Sequence, residues 1–178
     1  MTENSKRAMV FIDLGNVLNH AKQFRKFDAK LDFKDLVDTV VKDRKLVCTY
    51  VFDGAFDDRT DQGIRNELKK LGCEVKTRPC SYIGKQKEID NEMTCEILSH
   101  AYEDSYDIAI IVSGDRDFRP VIEKIQILGK KAEVAGFSDC ISEALSKSSD
   151  ALHILDTLPL FYYAPYSNRY RGIVPKAS

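Results

Sequence analysis

Short apolar runs recur along this chain at intervals too long for hairpins. Ala8–Ile12, Leu46–Phe52 and Asp107–Val112 are rich in β-branched and aromatic residues and carry little charge, and Ala132–Ala135 is a further short candidate strand. Strands of that kind are covered on both faces. Between them the apolar spacing turns helical. Phe33, Leu36, Val37, Val40 and Val41 follow Asp32, a plausible N-cap. Ile64, Leu68 and Leu71 end at Gly72. Ile89, Met93, Ile97 and Ala101 share one face, as do Phe118, Val121, Ile122, Ile125 and Leu128 before Gly129. Helices are also predicted through Val17, Leu18, Ala21 and Phe24, and over Ser138–Lys147. A third strand is predicted over Cys73–Cys80 and a short sixth over Ala151–Leu155. Steady β-α alternation predicts a three-layer α/β/α fold around an open parallel sheet. Right-handed crossovers then bring the C-terminal ends of all strands to one edge.

The pattern runs over residues 8–156 as one domain, without internal repeats. Residues 157–178 depart from it. This tail carries Tyr162, Tyr163, Tyr166, Tyr170, Arg169 and Arg171, three prolines and no acid.

Carboxylates cluster at the predicted edge. Asp13 ends the first strand. Asp115 and Asp117 follow the fourth, in Ser113-Gly114-Asp115-Arg116-Asp117. Asp90 opens the helix that leads into that strand. Singly, each acid reads equally well as a helix or turn cap. Together they would repel one another unless a pKa rises or a cation is present. Oxygen ligands alone select a hard cation, Mg²⁺ or Mn²⁺, and such sites commonly serve phosphoryl chemistry.

Other chemistries lack their residues. His20 and His100 fall within helices and His153 near the last strand, so no His is expected at the edge, which argues against a His base or a zinc site. Ser113 lacks a G-x-S-x-G frame, and there is no dinucleotide or Walker loop. A haloacid-dehalogenase-like phosphatase wants a second Asp two residues after Asp13, where Gly15 stands. That weakens a small-phosphoester phosphatase without removing it.

A net charge of -1 gives no global basic field, so an anionic substrate needs a local basic patch or bound cations. Five scattered cysteines without a C-x-x-C suit free thiols in the cytoplasm. Met1–Arg7 lacks a signal-peptide core, and no apolar run approaches the roughly 20 residues needed to span a bilayer.

Three elements resemble a known family. Val10-Phe11-Ile12-Asp13-Leu14-Gly15-Asn16 is similar to the opening of NYN domains, within the PIN-like nuclease superfamily. Lys87-Glu88-Ile89-Asp90 is similar to their central K-x-V-D element. Ile110–Phe118, followed by Leu128-Gly129-Lys130-Lys131, resembles the S-G-D-x-D-F segment of the LabA-like (DUF88) branch, and Tyr50–Gly54 fits that branch too. The resemblance implies a PIN-like sheet ordered 3-2-1-4-5 and Mg²⁺- or Mn²⁺-dependent cleavage of RNA. It implies Asp13, Asp90 and Asp115 as metal ligands, Asp117 as a fourth acid, and Asn16 and Ser113 as orienting groups. Arg116 stands where Ser is commoner in the family.

Lys85, Lys87, Arg116 and Arg119 neighbour the proposed site and are the expected phosphate contacts. Arg59 and Arg65 read more readily as solvated surface. Tyr82, Phe56 and the tail tyrosines can stack on unpaired bases, although packing is the commoner role. The leading expectation is a cytoplasmic metal-dependent endoribonuclease acting on single-stranded or loop RNA. The rival is a non-catalytic RNA- or protein-binding regulatory module. A homo-oligomer is left open.

Overall fold

The computed structural model describes residues 6–21, 29–54, 62–78, 86–158 and 160–163. Six strands form one parallel sheet: β1 (Arg7–Asp13), β3 (Lys45–Asp53), β4 (Glu74–Thr77), β5 (Ile108–Val112), β6 (Lys131–Gly136) and β7 (Ala151–Ile154). Their order is β4-β3-β1-β5-β6-β7. Counted within this sheet, that is the expected 3-2-1-4-5 with the sixth strand added outside. The chain builds outward from β1 to β4, then returns to β5 and builds the other way. The reversal lies between β1 and β5, whose residues pair in parallel from Ala8↔Ile108 to Ile12↔Val112.

Period-two side chains divide β1 between two cores. Ala8, Val10 and Ile12 pack with residues of α1 (Leu14–Ala21), α2 (Phe33–Val41) and α3 (Gln62–Lys70), among them Val17, Leu36, Val40 and Leu68. Met9 and Phe11 pack with residues of α4 (Gln86–Tyr102), α5 (Arg119–Ile127) and α6 (Glu143–Ser148), among them Met93, Ile97, Val121, Ile122 and Leu145. Each large apolar side chain so buried contributes roughly 1.5–3 kcal/mol. With both faces covered, function is left to the strand ends.

Local signals set the helix limits. The Asp32 carboxylate accepts the Asp35 N–H at 3.0 Å and caps α2 as expected. Gly129 follows α5 at φ 78°, a left-handed conformation that suits glycine. The last helix is shorter than its spacing suggested. Residues 137–142 form a turn, in which the Cys140 N–H donates to the Phe137 carbonyl at 3.0 Å. Only then does Ser142 cap α6, accepting from the Leu145 N–H.

One element was not expected. β2 (Ala29–Leu31) pairs antiparallel with β8 (Phe161–Tyr163) in a separate ribbon. Leu160, just before β8, is 1% exposed and accepts the Asp32 N–H at 2.7 Å. The chain thus packs back onto the α1–α2 side after residue 156. The remainder of the tail, residues 164–178, lies outside the described residues. Among the described residues, no helix is long and apolar enough to cross a membrane.

Candidate active site

Asp13 is the last residue of an innermost strand, which explains both its place at the edge and its burial, 7% exposed. Two hydrogen bonds fix its carboxylate. The Ser113 hydroxyl donates to Oδ2 at 3.0 Å, and the Asn16 N–H donates to Oδ1 at 3.0 Å. Ser113 is fully buried, and its Oγ also accepts the Asp115 N–H at 3.2 Å. One hydroxyl therefore links the acid of β1 to the acid after β5. Asn16 links the same segments, because its Oδ1 accepts the Gly114 N–H at 3.1 Å.

Burial raises the Asp13 pKa above the usual carboxylate range. The Asn16 and Ser113 hydrogen bonds work against that rise, and the Asp115 charge adds to it. Asp90 is pushed further, to about 7, first by burial and then by the charges of Asp13, Asp115 and Asp117. Helix α4 begins at Gln86, so Asp90 lies one turn inside it rather than at its opening. The four acids come from three separated segments and share one electrostatic neighbourhood.

This has a consequence for stability. With a native pKa near 7 and an unfolded value of about 4, the native state holds the Asp90 proton to higher pH than the unfolded chain does. Stability is full below about pH 4, falls as pH rises to about 7, and is level beyond. Asp90→Asn should therefore raise the Tm of metal-free protein at pH 8 and flatten its dependence between pH 4 and 7. Allowing for solvent screening, the gain is about 1–3 kcal/mol. A Tm no higher than wild type, followed by thermal melts across that range, would contradict the coupling.

Of the two acids after β5, one is a cap and the other is not. Asp115 caps a single 3-10 turn, Arg116–Phe118, accepting the Asp117 N–H on Oδ1 at 2.9 Å. Asp117 caps nothing: Phe118 occupies the N-cap of α5, without a side-chain bond, and Pro120 enters the first turn. The Asp117 side chain is 70% exposed, with Arg116 Nε 3.9 Å away.

Gly114 gives this loop its room. A Cβ there would lie 2.3 Å from the Cys140 carbonyl oxygen and 2.6 Å from its Sγ. Both obstacles belong to a packed turn, so Gly114→Ala should cost about 1–3 kcal/mol, read as a lower denaturation midpoint. A neutral substitution would show that the turn yields freely.

The basic residues fare unequally. Arg116 is exposed, and Arg119 pairs with Glu123 at 2.7 Å one helical turn away. Both line a groove of about 740 Å³ with Asp90, Asn91, Thr94, Asp117 and Pro120. Lys87 lies in α4, but its side chain, like Lys85, Arg59, Phe56 and Tyr82, lies outside the described residues. Arg65 is not solvated surface. It is 5% exposed, and its Nε donates to Asp53 Oδ2 at 2.6 Å at the end of β3. An Arg is buried to that degree when it is paired, and this pairing makes it a structural group rather than a phosphate contact.

Asn91 and Thr94 were missed, although Thr94 lies four residues after Asp90 and three after Asn91, spacings that put it beside each of them on the helix. His20 was missed altogether. It was expected away from the strand edge, yet its Nδ1 lies 3.3 Å from Asp139 Oδ1 in the loop after β6. Among the described residues, His20, Asp139 and Cys140 have potential ligand atoms all within 4.8 Å of one another.

Comparison with known proteins agrees with the architecture. A crystal structure of a protein of unknown function from Vibrio parahaemolyticus superposes with a TM-score of 0.75 at 21% identity, covering 88% of this chain and 96% of that one. This likeness concerns the fold. A search of curated proteins finds no match. The model of the NYN domain matches residues 7–156, which hold the whole of the six-stranded sheet and its helices. The chain belongs to the NYN domain family.

Proposed function

We propose that this chain is a metal-dependent endoribonuclease of the LabA-like (DUF88) branch of NYN domains. The observation that carries the reading is the convergence of Asp13, Asp90, Asp115 and Asp117 at the switch point of the sheet, where open α/β folds bind ligands. Membership of a nuclease-type family supports it.

The donor set fits a divalent cation. All four groups are hard oxygen donors, and beyond its burial Asp90 feels the negative charges of Asp13, Asp115 and Asp117. Asp13, Asp90 and Asp115 would hold Mg²⁺ or Mn²⁺, with Asp117 at the open side. No three of these described acids have ligand atoms all within 4.8 Å, so closing on one ion requires side-chain rotation. When bound, the cation polarises a phosphate oxygen and acidifies a water, the nucleophile of a hydrolytic cleavage.

The protein's own residues set the stage. Ser113 and Asn16 keep the Asp13 carboxylate from turning away. Arg116 and Arg119 offer positive charge along the groove, where a phosphodiester backbone can lie. Release of a carboxylate proton from Asp90 accompanies loading of the site, so activity should rise through about pH 7. The free thiols of Cys48, Cys73, Cys95 and Cys140 suit a reducing cytoplasm.

A panel of single-stranded, hairpin and duplex RNAs, with matched DNAs, tests the reading. With Mn²⁺, internal cleavage of unpaired RNA is expected, without 2′,3′-cyclic phosphate ends, because water rather than the 2′-hydroxyl attacks. EDTA should abolish it. RNA binding without cleavage under every condition would favour the non-catalytic module instead.

A further inference from the structure

Beyond the acids, a second group of potential ligands joins α1 to the loop after β6. His20 lies in the last turn of α1, and Asp139 and Cys140 lie in the 137–142 turn. One ligand atom from each falls within a 4.8 Å set. The His20 Nδ1 to Asp139 Oδ1 distance is 3.3 Å. Two ligand atoms about 2.0–2.1 Å from a tetrahedral zinc stand roughly 3.3–3.4 Å apart, so this edge already has coordinating length.

The turn that carries two of the ligands is anchored at both ends. Ser138 donates its N–H and its hydroxyl to Asp156 at 2.8 and 2.7 Å. The Ser142 N–H donates to the Gly114 carbonyl at 3.1 Å. Cys140 sits close against the backbone of Gly114, where a Cβ would meet its Sγ at 2.6 Å. The sulfur is therefore held in place, while His20 and Asp139 remain 30% and 46% exposed and open to an incoming ion. Thiolate, imidazole and carboxylate together suit zinc rather than magnesium.

We propose that His20, Asp139 and Cys140 form a zinc-class site, three protein ligands with a fourth position for water. Its chemistry is distinct from that of the acidic edge. Binding replaces the Cys140 S–H bond with a sulfur–metal bond and releases one proton to solvent, with no change of oxidation state. The ion ties α1 to the turn after β6. Because Cys140 Sγ also lies 3.7 Å from Asn16 Oδ1, the clamp abuts the residue that orients Asp13.

Titration of the metal-free full chain with Co²⁺ reads the site directly. One equivalent should produce a thiolate-to-cobalt charge-transfer band and the intense visible bands of four-coordinate cobalt. Cys140→Ser should abolish the charge-transfer band. His20→Gln, a partly exposed substitution that folding should tolerate, should weaken cobalt affinity at least tenfold. The band should survive Asp13→Asn, and also replacement of Cys48, Cys73, Cys80 and Cys95 by Ser. Absence of the band in folded wild type, its survival in Cys140→Ser, or unchanged affinity in His20→Gln would overturn the site.

Discussion

Asp13→Asn and Asp115→Asn should each lower Mn²⁺-dependent RNA cleavage by about 10³-fold, roughly 4 kcal/mol of transition-state stabilisation. The Asn side chains keep the shape but lose a negative oxygen donor. Misfolding is separable from this loss. Asp13 is buried, with its pKa raised by desolvation and by the Asp115 charge, against opposing hydrogen bonds from Asn16, Ser113 and Gly15. Neutralising it relieves that cost, so the Tm of metal-free Asp13→Asn should equal or exceed that of wild type near pH 8. Inactive protein with a retained Tm is the expected pair of results. Variants that cleave as wild type does would remove the acids from the chemistry.

The second large effect lies far from the acids. Glu133, on β6, accepts from Arg44 Nη1 at 2.7 Å and pairs with His153 Nε2 at 2.8 Å. Arg44 also donates to the Val40 and Val41 carbonyls, the last of α2. One carboxylate thus fastens β6 to β7 and to the C-terminus of α2, where positive charge suits the helix dipole. Burial alone would raise the Glu133 pKa, but the bonds from His153 and Arg44 outweigh it and hold the pKa at about 2.

Glu133→Gln leaves the Arg44 guanidinium, 6% exposed, without its counter-charge. The expected cost is about 3–5 kcal/mol, a fall in Tm of roughly 10 °C for a chain of this size. The sign with pH follows from the depressed pKa. The contribution of Glu133 is present above about pH 4.5 and is lost as pH falls toward 2. Calorimetry should therefore find the wild-type advantage over Glu133→Gln at neutral pH and its shrinkage in acid. A fall in Tm of under about 2 °C at pH 7 would contradict the argument.

The sheet order and the site edge were legible because they rest on local signals. Continuous apolar runs mark strands covered on both faces, and handed crossovers leave few ways to arrange them. Asp13, Asp90 and Asp115 then reach one edge by topology alone. What escaped reading depends on contacts between distant residues. Ala29–Leu31 and Phe161–Tyr163 are three-residue strands from opposite ends of the chain, too short to show a period. Arg65 read as surface because its partner Asp53 lies across a polar loop. His20 meets Asp139 and Cys140 only because the turn after β6 folds over α1, a pairing that no spacing encodes. Spacing also left open which of Asp115 and Asp117 caps: a 3-10 turn precedes α5, and Asp115 caps that turn.

A crystal soaked in Mn²⁺ and measured for anomalous scattering tests the account most directly. A peak is expected at the C-terminal edge between β1 and β5, with carboxylate oxygens of Asp13 and Asp115 within about 2.0–2.3 Å and Asp90 bound directly or through water. No peak at that edge when it is free of lattice contacts, or a peak only beside His20, Asp139 and Cys140, would contradict it.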